Sequence, residues 1–167
     1  LVHMDPIGTV LAPLLQLLFS GLPFLAWAKP TPVLPQRFRE YRRGQILVAG
    51  AGPASNVVLA IAFLAALYGA ARLNLLQIDS PLPLLLLSGI QLNVLLAAFN
   101  LIPLPPLDGA AIASFALPRE IGDAYDRLVE PFGMWLLLLF VATPLAGFVL
   151  SPFLTFTRVL ILRILLT

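Results

Sequence analysis

The sequence contains no cysteine and a single histidine, and only 11% of its 167 residues are Asp, Glu, Lys or Arg. The missing cysteines exclude disulfides and thiolate metal sites, and leave the redox compartment open. The scarcity of charge goes with 60% hydrophobic residues and a mean hydropathy of +0.98. A soluble domain of this size cannot hide so much apolar surface, because much of a small chain must stay outside. Lipid is the expected solvent. No signal-peptide pattern, internal repeat or disordered linker is visible, and the chain opens on Leu1. It reads as an internal piece of a longer protein.

Four apolar segments are present: Ile7 to Ala28, Ile46 to Ala71, Leu82 to Ile102, and Phe132 to Leu150. Each approaches the roughly 20 residues a helix needs to cross the hydrocarbon core. The final stretch "FLTFTRVLILRILLT" carries Arg158 and Arg163 and is expected to lie in the interface or form a short last helix. The fold class expected is therefore an all-α polytopic membrane protein in one embedded domain, residues 1–167, with about four apolar segments and an interfacial helix. The first segment contains Pro13, Pro23 and the "SGLP" break. It either crosses once, placing Asp5 outside, or dips in and returns; the re-entrant form is favoured because irregular backbone needs protein or a wet cavity around it. Pro-rich "KPTPVLP", Lys29 to Pro35, must be extended.

The net charge of +2 and the pI near 9.5 do not point to nucleic acid. Lys29, Arg37, Arg39, Arg42 and Arg43 gather between the first two segments. The positive-inside rule places that loop in the cytoplasm, where these residues read as topology determinants touching anionic headgroups. If the next two segments each cross once, Asp108 returns to the same side. The charged "PREIGDAYDRLVE" reads as an interfacial helix with Glu120, Asp123, Asp126, Arg127 and Glu130 on its solvated face.

"FNLIPLPPLDGA", residues 99 to 110, carries the sharpest constellation. Pro103, Pro105 and Pro106 end a helix and force an extended turn. Asp108 then opens a new helix, where the simplest role is an N-cap on the amides of "GAAI". Asn100 lies seven residues after Asn93, on the same helix face, and amides in membrane segments usually point inward. Two amides and a carboxylate converging there suggest a polar site in the bilayer. Gly50, just before "AGPASN" (Ala51 to Asn56), and Gly52, Ala54 and Ser55 within it would let another helix come close, with Pro53 in the first turn of its helix. Packing alone accounts for these residues as well as a site-lining role for Asn56 does.

"FNLIPLPPLDG" resembles the third-ligand motif of the site-2 protease family of intramembrane zinc metalloproteases. "HMDPIGT" (His3 to Thr9), "WAKPTPVLPQRFR" (Trp27 to Arg39), "AGPASN" and "LVEPFG" (Leu128 to Gly133) follow in the order and spacing of the compact bacterial members, covering nearly the whole chain. The resemblance implies a zinc endopeptidase of the bacterial cell membrane that cleaves transmembrane protein substrates with a zinc-activated water. Asp108 would be the carboxylate zinc ligand, in a set of two His, one Asp and water. Asn100 would hold the extended substrate backbone, and Pro103 would shape the turn that aims Asp108. Asn56, Asn93 and His3 would be candidates for lining the site. Membrane lipid and a transmembrane substrate are the partners implied, and nucleic acid is not.

The chain also departs from that family. The other two ligands and the general base lie there in His-Glu-x-x-His on an earlier helix. Here His3 stands alone, so these 167 residues cannot build that zinc site by themselves, and the Glu is expected upstream. Ala110 replaces a usual second glycine. Two other readings remain: a non-catalytic relative that binds clients without cutting them, and an unrelated channel or transporter element built on broken helices.

Overall fold

The computed structural model describes residues 40–77 and 79–166, which belong to the unit Phe38–Thr167. The expectations for Ile7–Ala28, His3, Asp5, Lys29–Pro35, Arg37 and Arg39 fall outside the described residues. Among those described, six helices follow in order: α1 (Tyr41–Arg72), α2 (Leu82–Asn100), α3 (Asp108–Ala116), α4 (Arg119–Val129), α5 (Gly133–Ala142) and α6 (Pro144–Leu166). A 3-10 turn, Glu130–Phe132, joins α4 to α5, and the described residues contain no strand.

Three of these helices, α1, α2 and α6, are long and apolar enough to cross a membrane. Their outward faces carry large side chains such as Leu47, Val58, Leu84 and Phe148, the last 78% exposed. Apolar surface on that scale, carried on helices of spanning length, fits a lipid surround. The chain is an all-α membrane protein.

At about 1.5 Å per residue, the 19 residues of α2 run ~28 Å, close to the ~30 Å hydrocarbon core. The 32 residues of α1 run ~48 Å and must project. With Arg72 at one boundary, the other falls roughly 20 residues back, near Gly52. The first turns of α1 therefore stand outside the core, beside α3 and α4. α1 packs chiefly on α2 and also on α3. Leu67, Ala70, Leu86, Ile90 and Ile161 form the buried cluster where α1, α2 and α6 meet.

Several boundaries differ from those read in the sequence. α1 starts at Tyr41 rather than Ile46, so Arg42 and Arg43 are helical residues rather than loop residues. Pro53 is consequently interior to α1 instead of in its first turn, and it is buried. The Phe132–Leu150 segment is not one helix. Pro144 has no amide to donate and holds Thr143 extended (φ −105°, ψ 163°), which ends α5 after only 10 residues. The stretch expected as interfacial or as a short last helix instead belongs to α6, whose 23 residues span by length.

The α2–α3 turn closes on Gly109. A methyl group at that position would lie 2.3 Å from the Leu101 carbonyl oxygen and 2.5 Å from that of Ile102. Gly133 seats the start of α5 on the same turn, where a methyl would come 2.5 Å from the Pro105 Cβ. Rigid backbone cannot yield as a side-chain tip can. Gly109→Ala should therefore lower stability by about 1–3 kcal/mol, the usual cost of overpacking. Gly50→Ala, with nothing within 4 Å, should leave it nearly unchanged. Denaturant unfolding of the two variants in detergent measures the contrast.

Candidate functional site

Asp108 opens α3 directly after the proline turn, whose carbonyl and amide groups are tied by short bonds from Leu104 N to Ile102 O and from Leu107 N to Leu104 O. Leu107, not Asp108, occupies the N-cap position, and the cap makes no side-chain hydrogen bond. The capping role expected from the sequence is thus replaced by another placement. The Asp108 carboxylate lies against α1, so that a methyl group at Gly52 would sit 2.8 Å from Oδ2. Among the described residues nothing donates a hydrogen bond to it. Half-buried and unpaired, its carboxyl is pushed above the usual range by burial.

That contact brings two of the motifs together, since "AGPASN" supplies Gly52 and "LPPLDG" supplies Asp108. Only Gly52 of the four small residues provides the close approach expected here. Gly50 has open space around it, Ala54 is exposed, and Ser55 is exposed and donates to the Ala51 carbonyl within its own helix. Asn56, one turn beyond Gly52, is half-buried on the same face.

The convergence of amides is only partial. Asn93 is buried and donates through Nδ2 to the Gly89 carbonyl at 2.8 Å, so its amide serves its own helix. Asn100, the last residue of α2, is half-buried, and its side chain makes no hydrogen bond among the described residues. No hydrogen bond joins Asn100, Asn93 or Asn56 to Asp108. Pro103 lies in the turn between α2 and α3, and its carbonyl accepts a 2.7 Å bond from the Tyr125 hydroxyl.

Tyr125 is one of several supporting residues that the sequence reading missed. Burial, with the nearby Asp126 carboxylate second, raises its phenol above the ordinary range and keeps it a donor. Asp126 is not simply solvated, for it accepts a 2.6 Å bond from the buried Ser114 hydroxyl of α3. Gly122 lets α4 come that close, since a methyl there would fall 2.3 Å from the Ser114 carbonyl oxygen. An isolated glycine in a helical pattern was the available signal. Arg42 also departs from its expected role at headgroups. Its Nε donates to Phe115 O at 3.1 Å, and its Nη2 to Ser114 O at 3.2 Å and to Leu117 O. Tyr41 sets its ring edge-on to Phe115, 5.7 Å away. A cavity of about 300 Å³ runs beside this bracing, between the proline turn and Glu130.

The described residues include no group of three His, Cys, Asp or Glu side chains able to hold a metal. An unpaired carboxylate suits one position in a ligand set. The described residues form a helical membrane protein with a single acid fixed where a proline-broken helix meets a glycine of its neighbour. The chain is 37% identical over 165 residues to the Bacillus subtilis protein named "Putative zinc metalloprotease YwhC", covering 97% of this chain and 71% of that one. It belongs to the family of that protein. No family model matches the chain, and no solved structure matches it.

Tyr125→Phe removes the bond to Pro103 and should cost roughly 0.5–1.5 kcal/mol, the net value of one such bond. Ser114→Ala strips one partner from Asp126 and should cost a similar amount. Thermal unfolding in detergent checks both, and neither change should alter the far-UV helix signal.

Proposed function

We propose that this chain is part of an intramembrane zinc endopeptidase of the site-2 protease class, which cleaves membrane-embedded segments of other proteins. The observation that carries this reading is the unpaired Asp108 carboxylate at Gly52, where two of the motifs shared with that class meet. Zinc, when bound, would polarise the scissile carbonyl and activate water. Asp108 is the ligand that the described residues would contribute. The two imidazoles and the general-base Glu come from residues outside this sequence, so these 167 residues alone are inactive.

The chain's own contribution is placement. Asp108 sits beyond the last turn of α2, near the edge of the hydrocarbon core, on the side where the first turns of α1 project. Asn100, at the end of α2 with an uncommitted amide, is suited to hold a substrate backbone drawn out of its helix. Substrate must be extended there, because helical hydrogen bonds and side chains shield its peptide bonds. The cytoplasmic side is assigned to Arg42 and Arg43 by the positive-inside rule. A second reading, a relative that binds clients without cutting, draws on the lone His3 of the sequence.

In the complete protein, Asp108→Ala should abolish both zinc retention and cleavage. Full activity in that variant would remove Asp108 from the ligand set. Asn100→Ala should keep zinc but lower cleavage by 10-fold or more; an unchanged rate would exclude the substrate-holding role. A complete wild-type protein that holds no zinc while still capturing transmembrane segments would favour the second reading.

A further inference from the structure

The zinc-ligand candidate stands at the first position of a helix only nine residues long. Such a helix is marginal by itself, because nucleation is costly and its last carbonyls have no partners within it. Those carbonyls are answered from α1. The guanidinium of Arg42 reaches Ser114, Phe115 and Leu117 together, at the end where the helix dipole favours a cation. Ten residues further along α1, Gly52 receives the Asp108 carboxylate. At 1.5 Å per residue the two points are ~15 Å apart on one rod. The two ends of α3 are thus fixed to a single helix running antiparallel to it.

We propose that Arg42 is a positioning residue, which holds the C-terminal turn of α3 so that α1 sets where Asp108 stands. The proposal rests on the reading of Asp108 as a zinc ligand. Arg42 acts through the helix and touches neither metal nor substrate. Its positive charge is only part of the device. A guanidinium presents several donors in a fixed fork and can serve three carbonyls at once, whereas an ammonium is a compact point charge on a flexible stem. Arg43 provides the internal comparison. It is the next residue on α1 and carries the same charge, but it is exposed, and among the described residues it pairs only with Glu40 at 3.2 Å.

The test uses the complete protein in detergent, with Arg42→Lys, Arg42→Gln and Arg43→Gln. Arg42→Lys preserves the charge, and with it any effect on topology. Two quantities are read: amide hydrogen exchange across residues 109–117 without metal, and zinc affinity by chelator competition. Arg42→Lys should speed exchange in that stretch about 10-fold. It should also weaken zinc by about 10- to 100-fold, the usual effect of losing a group that orients a ligand. Arg43→Gln should change neither. Wild-type behaviour of Arg42→Lys in both measurements would reduce Arg42 to a charge and overturn the proposal. Faster exchange with unchanged zinc affinity would also overturn it, leaving helix stabilisation alone. Should Arg42→Gln fail to fold, the lysine variant decides by itself. If Asp108→Ala retains zinc, the reading of the site fails first, and the exchange result then reports only the clamp.

Discussion

The arrangement depends on one close approach, the Asp108 carboxylate against Gly52. A side chain on residue 52 would fill the space the carboxylate occupies. An acid at the edge of a hydrocarbon core is costly when nothing compensates it, and no group among the described residues does so. Such a charge survives where its surroundings are over-determined by packing. Here the proline turn, Gly109 and Gly133 fix the backbone from one side and α1 from the other.

The bracing is distributed over elements outside the spanning helices. α4 ties the two ends of the short helix separately, through Tyr125 at the proline turn and Asp126 at Ser114. α1 ties them along its own length through Gly52 and Arg42. Polar bonds of this kind hold a geometry better than apolar contact, because each needs a particular donor and acceptor at a particular place. Apolar packing dominates elsewhere, where α1, α2 and α6 meet around Leu67, Ile90 and Ile161. The two regions correspond to two solvents. Lipid faces the helices with exposed leucine and phenylalanine, while the projecting turns of α1 share their polar bonds with α3 and α4.

Family membership fits this division. The 37% identity to the Bacillus subtilis protein extends over 97% of the chain, so it covers bracing and spans alike. A short helix that offers one carboxylate beside a glycine is useful to a metal site only if the remaining ligands approach from another element. That is why the histidine count matters as much as the position of Asp108.

The sequence by itself determined the solvent, the helical class and the place of Asp108 directly after a proline turn. Runs of apolar residues near spanning length fix the first two, because lipid leaves only helices or closed barrels to satisfy the backbone. The prolines around Asp108 fix the third, because they forbid helix wherever they cluster. The boundaries were less legible. Pro53 was read as a start yet lies inside α1, and Phe132–Leu150 was read as one segment yet divides at Pro144. A proline marks a missing amide, and only neighbouring packing decides whether a helix continues past it. Only tertiary structure revealed what the charged and polar residues do. Arg42 read as a headgroup contact, Asp126 as part of a solvated face, and Tyr125 carried no reading at all, yet each finds its partner 12 to 75 residues away. Periodicity reports which way a side chain points from its own helix, but not which carbonyl another helix will bring to it.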